Sequence, residues 1–136
     1  MKRIISIAIV SVVALSVFTI NVFAGQWVNW TRTTTLGALG NNTLIITLAR
    51  AGETYNYERY RWNSGTANAI ELFMKGENGN WIMNKQSFPG SYKGDGIFHN
   101  IYYCVSVDMG EEINLYGEQS NIRAKTVDGT LSLYYD

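Results

Sequence analysis

The side chains that could do chemistry in this 136-residue chain are few. His99 is the only histidine. A multi-histidine metal site is therefore excluded, and a hydrolase would need a serine or cysteine and an acid gathered around that one ring. Ser91, Asp95, Cys104, Ser106 and Asp108 are near it in sequence, but no nucleophile-elbow or protease motif surrounds any of them. Alternation along a strand would put His99 on a face with Ile101 and Tyr103, as a hydrogen-bonded histidine at a sheet end. Paired carboxylates could serve a glycosidase, with an acid and a base or nucleophile about 5 to 9 Å apart. Glu71, beside Phe73, is the best single candidate, and Glu111-Glu112 point to opposite sides of a turn. Calcium needs clustered oxygen ligands, whereas Asp95 and Asp128 are isolated. Gly94-Asp95-Gly96 precedes a strand rather than the helix a phosphate cradle requires. No catalytic residue, cofactor or metal is assigned, and the chain is expected not to be an enzyme.

Aromatic residues are the positive signal. The chain holds four tryptophans and nine tyrosines, all beyond residue 24. Tyrosine joins an apolar body to a polar tip, which suits a half-wet sheet face and a binding surface alike. The densest stretch is YNYERYRWN, residues 55–63. A regular strand places Tyr55, Tyr57, Arg59 and Arg61 on one face and Asn56, Glu58, Tyr60 and Trp62 on the other. A β-bulge at Glu58-Arg59 would instead turn all four aromatics to the core. The regular strand is expected, because turn glycines carry this chain's irregularities. Tyr55, Tyr57, Arg59 and Arg61, with Tyr92 from the longest loop, are the candidate ligand contacts. Core and sheet packing is the competing use of these rings, since aromatics favour strands and stabilise cross-strand pairs.

The elements that must position these residues are strands. Glycines punctuate the chain at short intervals, Pro89 is the only proline, and no segment beyond residue 24 keeps helical apolar periodicity over three turns. Nine strand candidates follow: 27–35, 43–49, 54–62, 68–75, 80–86, 97–107, 112–118, 122–127 and 131–135. In the second, Leu44, Ile46 and Leu48 share a face. In the fourth, Ile70, Leu72 and Met74 oppose Phe73. Gly76-Glu77-Asn78-Gly79 reads as a hairpin loop, residues 88–96 as the longest loop, and Val127-Asp128-Gly129-Thr130 as a type I′ hairpin. The expected fold is all-β: an antiparallel β-sandwich of about seven to nine short strands, with a small barrel as the alternative.

Residues 1–24 read as a helical secretory signal peptide. Lys2 and Arg3 precede an apolar run from Ile4 to Ile20, and small residues sit before a cleavage site after Ala24. The run barely reaches the roughly 17 residues that span a bilayer, and no basic cluster follows it. Secretion with no stable membrane insertion is expected, leaving one domain over 25–136. Without Lys2 and Arg3 that domain has nine basic and eleven acidic residues. The balance argues against nucleic acid, which demands a dense positive footprint. Cys104 is the only cysteine, so no intrachain disulfide can form. Its setting, IYYCVSV, reads as strand, and the thiol is expected to be buried and inert.

The leader, the first-strand run TRTTT, the strand YNYERYRW and the closing run INLYGEQSNIRAKTVDGTLSLYYD resemble a family of small secreted proteins of Gram-positive bacteria with no assigned biochemical function. The resemblance covers most of residues 31–136, implies export and an all-β domain, and supplies no catalytic residues to carry over. Two functions fit these readings. One is a non-catalytic extracellular module that binds a cell-envelope glycan or protein through exposed aromatics. The alternative is a secreted bacteriocin-like or toxin-like antagonist, ranked second because the chain lacks the positive charge that reaches anionic envelopes.

Overall fold

The computed structural model describes residues 25–136, so the signal-peptide reading of residues 1–24 lies outside the described residues. Among the described residues no helix is long and apolar enough to cross a membrane. Their eight strands are β1 (Gln26–Leu36), β2 (Thr43–Ala49), β3 (Tyr57–Ser64), β4 (Ile70–Lys75), β5 (Trp81–Phe88), β6 (His99–Tyr102), β7 (Glu112–Glu118) and β8 (Lys125–Tyr135). One turn of 3₁₀ helix, Gly90–Tyr92, follows β5.

The strands form two four-stranded antiparallel sheets, ordered β1-β8-β3-β6 and β2-β7-β4-β5. The expected β-sandwich is the observed fold. Each sheet turns one side-chain set inward, as the period of two requires. Tyr60, Trp62, Ile101, Leu131 and Leu133 come from the first sheet, and they meet Leu72, Met74, Met83, Phe88 and Leu115 from the second. Phe73 is fully buried yet stands on the opposite side of β4 from Leu72 and Met74. Tyr116 and Trp81 cover it there, with ring centroids 5.3 and 4.7 Å away.

Three departures from the sequence reading have physical causes. Residues 127–130 make no hairpin. They run straight through β8, an eleven-residue strand paired with β1 on one side and β3 on the other. Asp128 is bound across both seams, accepting from Thr33 Oγ1 at 2.7 Å and Asn63 Nδ2 at 2.9 Å. Gly129 gives room to a neighbouring side chain rather than to a turn.

The stretch 97–107 is not one long strand. Pairing stops at Tyr102, and the chain then crosses the sandwich edge. The Tyr103 N–H donates to Asn56 O ahead of β3 at 2.9 Å, and the Cys104 N–H donates to Ile82 O in the other sheet, also at 2.9 Å. In this crossing Tyr103 and Val107 turn inward, while Cys104 is exposed, contrary to the buried thiol expected from its apolar neighbours. A separate irregularity lies in β2. A bulge between Leu44 and Ile46 buries both Ile45 and Ile46 and leaves Leu44 47 % exposed, so Leu44 does not share the inner face with Ile46.

Candidate ligand-binding face

The alternation of β3 is regular from Tyr57 to Trp62. Glu58, Tyr60 and Trp62 are buried, and Tyr57, Arg59 and Arg61 are half-buried on the other side. The irregularity lies further along, between Trp62 and Ser64. Of the four aromatics in residues 55–62, Tyr60 and Trp62 therefore belong to the core, and Tyr55 and Tyr57 belong to the outer face.

Register brings further rings to that face. Trp27 of β1 pairs with Tyr134 of β8, and Tyr57 of β3 pairs with Tyr102 of β6. Tyr55, on the loop entering β3, completes the group. Ring centroids lie 5.4 Å apart for Trp27 and Tyr55, 6.0 Å for Trp27 and Tyr57, 5.0 Å for Tyr55 and Tyr134, and 5.2 Å for Tyr57 and Tyr102. These are the separations at which ring quadrupoles attract. Tyr102 is 51 % exposed and Tyr55 36 %, so the cluster meets solvent although its members pack on one another.

The two arginines continue the face. The Arg59 guanidinium lies 3.8 Å over the Trp27 ring and 5.0 Å from that of Phe98, and Arg61 lies 4.6 Å from Phe98. Arg59 Nε is buried with no acceptor. Burial beside the rings lowers the Arg59 pKa from the usual arginine value, and the neighbouring tyrosines Tyr57 and Tyr55 act in the opposite direction. Arg61 Nε donates to Asn63 Oδ1 at 2.9 Å. Beyond it the face becomes polar: Asn63 Nδ2 donates to Thr130 Oγ1 at 3.0 Å, and the Thr130 and Thr31 hydroxyls are 2.8 Å apart.

Beneath the face, on the core side, lies a buried polar cluster. Tyr103 Oη donates to Glu58 Oε1 at 2.8 Å. Burial pushes the Glu58 carboxyl up to about 7, with the Tyr103 bond and the Arg50 charge pulling the other way. Arg50 stands 4.7 Å over the Tyr103 ring and donates to the carbonyls of Gly52 (2.7 Å), Tyr55 (2.6 Å) and Val107. It thereby fixes the loop that presents Tyr55.

Tyr92 does not join the other candidate contacts. It sits in the 3₁₀ turn, its ring stacked 3.7 Å from His99 and edge-on to Phe88, packed against the core. His99 Nε2 meets Asp95 Oδ2 at 2.8 Å, which matches the hydrogen-bonded histidine expected beside the long loop. The Ile97 N–H, and after it His99, hold the Asp95 carboxyl below its ordinary range. Glu71 lies in the other sheet, paired with Ser87 and Glu118. Among the described residues no three of His, Cys, Asp and Glu gather to hold a metal.

Trp27, Phe98, Tyr102 and Tyr134 are members of this face that local reading missed. Only the register of strands far apart in sequence places them beside Tyr57 and Arg59. A concavity of about 1160 Å³ lies away from the rings, between β2, β5 and residues 105–112. Set against family models, curated proteins and solved structures, the chain matches none.

Proposed function

We propose that the protein is a non-catalytic module of the cell exterior that holds a glycan against the outer face of the β1-β8-β3-β6 sheet. One observation carries this reading: five rings from four strands and a loop, Trp27, Tyr55, Tyr57, Tyr102 and Tyr134, meet on that face at centroid spacings of 5.0–6.0 Å. A pyranose offers a weakly positive apolar C–H face that suits the negative face of an aromatic ring, and its hydroxyls suit tyrosine tips. The asparagines and threonines alongside supply further donors and acceptors. An open sheet face accommodates a polymer without enclosing it.

The second sheet makes a useful contrast. Its outer aromatic group, Phe73, Trp81 and Tyr116, is already capped by Lys75, whose Nζ lies 5.0–5.8 Å from all three rings. Of its three rings Phe73 is fully buried beneath the other two, which leaves a smaller ring surface than on the first sheet. The test is retention of the purified protein on a glycan array and on insoluble cell-envelope polysaccharide, with Trp27→Ala and Tyr57→Ala as controls. Retention that both substitutions abolish supports the reading. Failure to bind any glycan or envelope fraction removes it.

A further inference from the structure

We propose that the glycan received on this face is acidic, and that Arg59 and Arg61 take its oxyanions. The inference rests on the glycan-binding reading above and adds the charge of the ligand.

A guanidinium has five donors at its edges, whereas ring faces engage only its plane. Arg59 lies over Trp27 and beside Phe98, and its Nε is buried with no acceptor. That Nε is closed off by the packing around it, so the donors left to meet a ligand oxygen are on the Nη atoms, for which Arg59 makes no hydrogen bond among the described residues. Arg61 commits its Nε to Asn63 and lies near the same Phe98 ring.

Neither arginine has a carboxylate. Among the described residues the ion pairs are Lys85 with Glu118 and His99 with Asp95. The acid on the same face, Asp128, has its two oxygens bound by Thr33 and Asn63. Glu58 is on the core side of β3, bonded to Tyr103. The other outer face differs on this point as well: Lys85 meets Glu118 at 2.6 Å. Lys85 is thus paired with a carboxylate on that sheet, whereas neither Arg59 nor Arg61 is paired with one beside the rings.

The spacing fits a chain-like ligand. Arg59 and Arg61 are two residues apart on one strand face, about 7 Å between their Cα atoms. One polymer strand lying along the rings could present successive anionic groups to both. Carboxylates and phosphates share the chemistry that a guanidinium fork receives, so the shared class is a sugar polymer bearing oxyanions.

The test is equilibrium binding of the purified protein to four probes: polygalacturonate, its fully methyl-esterified form, a phosphomannan and the matching neutral mannan. The expected result is at least about tenfold tighter binding to a charged polymer than to its neutral counterpart, a preference that shrinks as salt is raised. Polygalacturonate or phosphomannan as the tighter arm identifies the anion, and either supports the proposal. Arg61→Gln should reduce the charged-arm affinity about tenfold and the neutral-arm affinity by much less. Arg59→Lys, which keeps charge and removes the fork, should fall between Arg61→Gln and wild type, with thermal melts confirming that both variants fold. Equal binding of charged and neutral polymers, unaffected by Arg61→Gln, overturns the inference and leaves ring-dependent glycan binding standing. No binding to any probe, on a protein that also fails the glycan array, overturns both.

Discussion

Gly129 and Tyr60 occupy one another's space: a Cβ on Gly129 would lie 1.9 Å from the Tyr60 hydroxyl oxygen and 2.2 Å from the ring carbon that carries it. Gly129 is in the middle of β8, opposite Trp62 and diagonal to Tyr60, which is itself 1 % exposed and edge-on to Phe88 at 5.7 Å. The missing side chain is what lets a tyrosine lie flat across the inner face of a central strand. Gly129→Ala should therefore lower stability by about 3 kcal/mol, the upper end for overpacking a rigid site. Chemical denaturation reads this directly. Pairing the change with Tyr60→Leu should recover part of the loss, and a double-mutant cycle showing additive effects would contradict the packing account.

The Tyr60 hydroxyl gives a second test of the same contact. It is buried without a hydrogen-bond partner, and burial raises its pKa. Tyr60→Phe removes that unpaired group and keeps the ring, so it should leave the denaturation midpoint unchanged or raise it. A loss above about 1 kcal/mol would mean that the hydroxyl has an acceptor in solution.

The misread Asp-Gly shows where local sequence stops informing. A type I′ hairpin and a glycine that clears space for a ring are written with the same two letters. Only the pairing of β8 with both β1 and β3 separates them. The alternation of β3 was legible because Glu58, Tyr60 and Trp62 obey a period of two within one strand. The end of β6 was not legible, because Tyr103, Val105 and Val107 have strand propensity even where the chain leaves the sheet. Exposure of Cys104 follows from that crossing. The site divides in the same way: Tyr57, Arg59 and Arg61 could be placed by alternation, whereas Trp27, Tyr102 and Tyr134 reach them through long-range register. Tyr92, a candidate contact from the longest loop, stacks on His99 and stands apart from the other candidates.

Glu58 couples stability to pH. Its carboxyl titrates near 7 in the folded protein against 4.5 ordinarily, chiefly because burial disfavours the charged form. Between those values the folded state holds a proton that the unfolded chain releases, so stability falls as pH rises through this window. The full effect, about 3 kcal/mol, is in force above pH 7 and absent below the unfolded value. Urea midpoints at pH 5 and pH 8 should differ in that direction. Glu58→Gln keeps an acceptor for Tyr103 and should flatten the dependence. An unchanged slope in Glu58→Gln would assign the effect to other groups.

Asp136 clamps the loop that carries Tyr55. Its Oδ2 accepts from the Glu53 N–H at 2.6 Å, and its Oδ1 accepts from the Thr54 hydroxyl and, at 3.4 Å, from the Thr54 N–H. The Thr54 hydroxyl, followed by the Glu53 N–H, holds this carboxyl below its usual value. The clamp is therefore complete at neutral pH and weakens only as pH falls through the depressed value. Asp136→Ala should speed hydrogen exchange at the Glu53 and Thr54 amides and leave the β3 amides protected. Equal protection in the variant would show that Arg50 alone fixes the loop.

Trp27 and Trp62 should separate binding from folding. Trp27 touches Tyr55, Tyr57 and Tyr134 and lies under Arg59, on the outer face and half-buried. Trp62 is fully buried and donates through Nε1 to Ser64 O at 3.0 Å. Truncating a buried tryptophan leaves a cavity, so Trp62→Ala should cost about 3 to 5 kcal/mol. Trp27→Ala removes surface packing and a cation–π contact, and should cost nearer 1 kcal/mol. It should nonetheless reduce glycan retention about tenfold or more, because it opens the centre of the ring cluster. Melting temperature and polysaccharide retention, measured on both variants, give the comparison. A Trp27→Ala protein that binds as well as wild type would move the site off this face, whatever its stability.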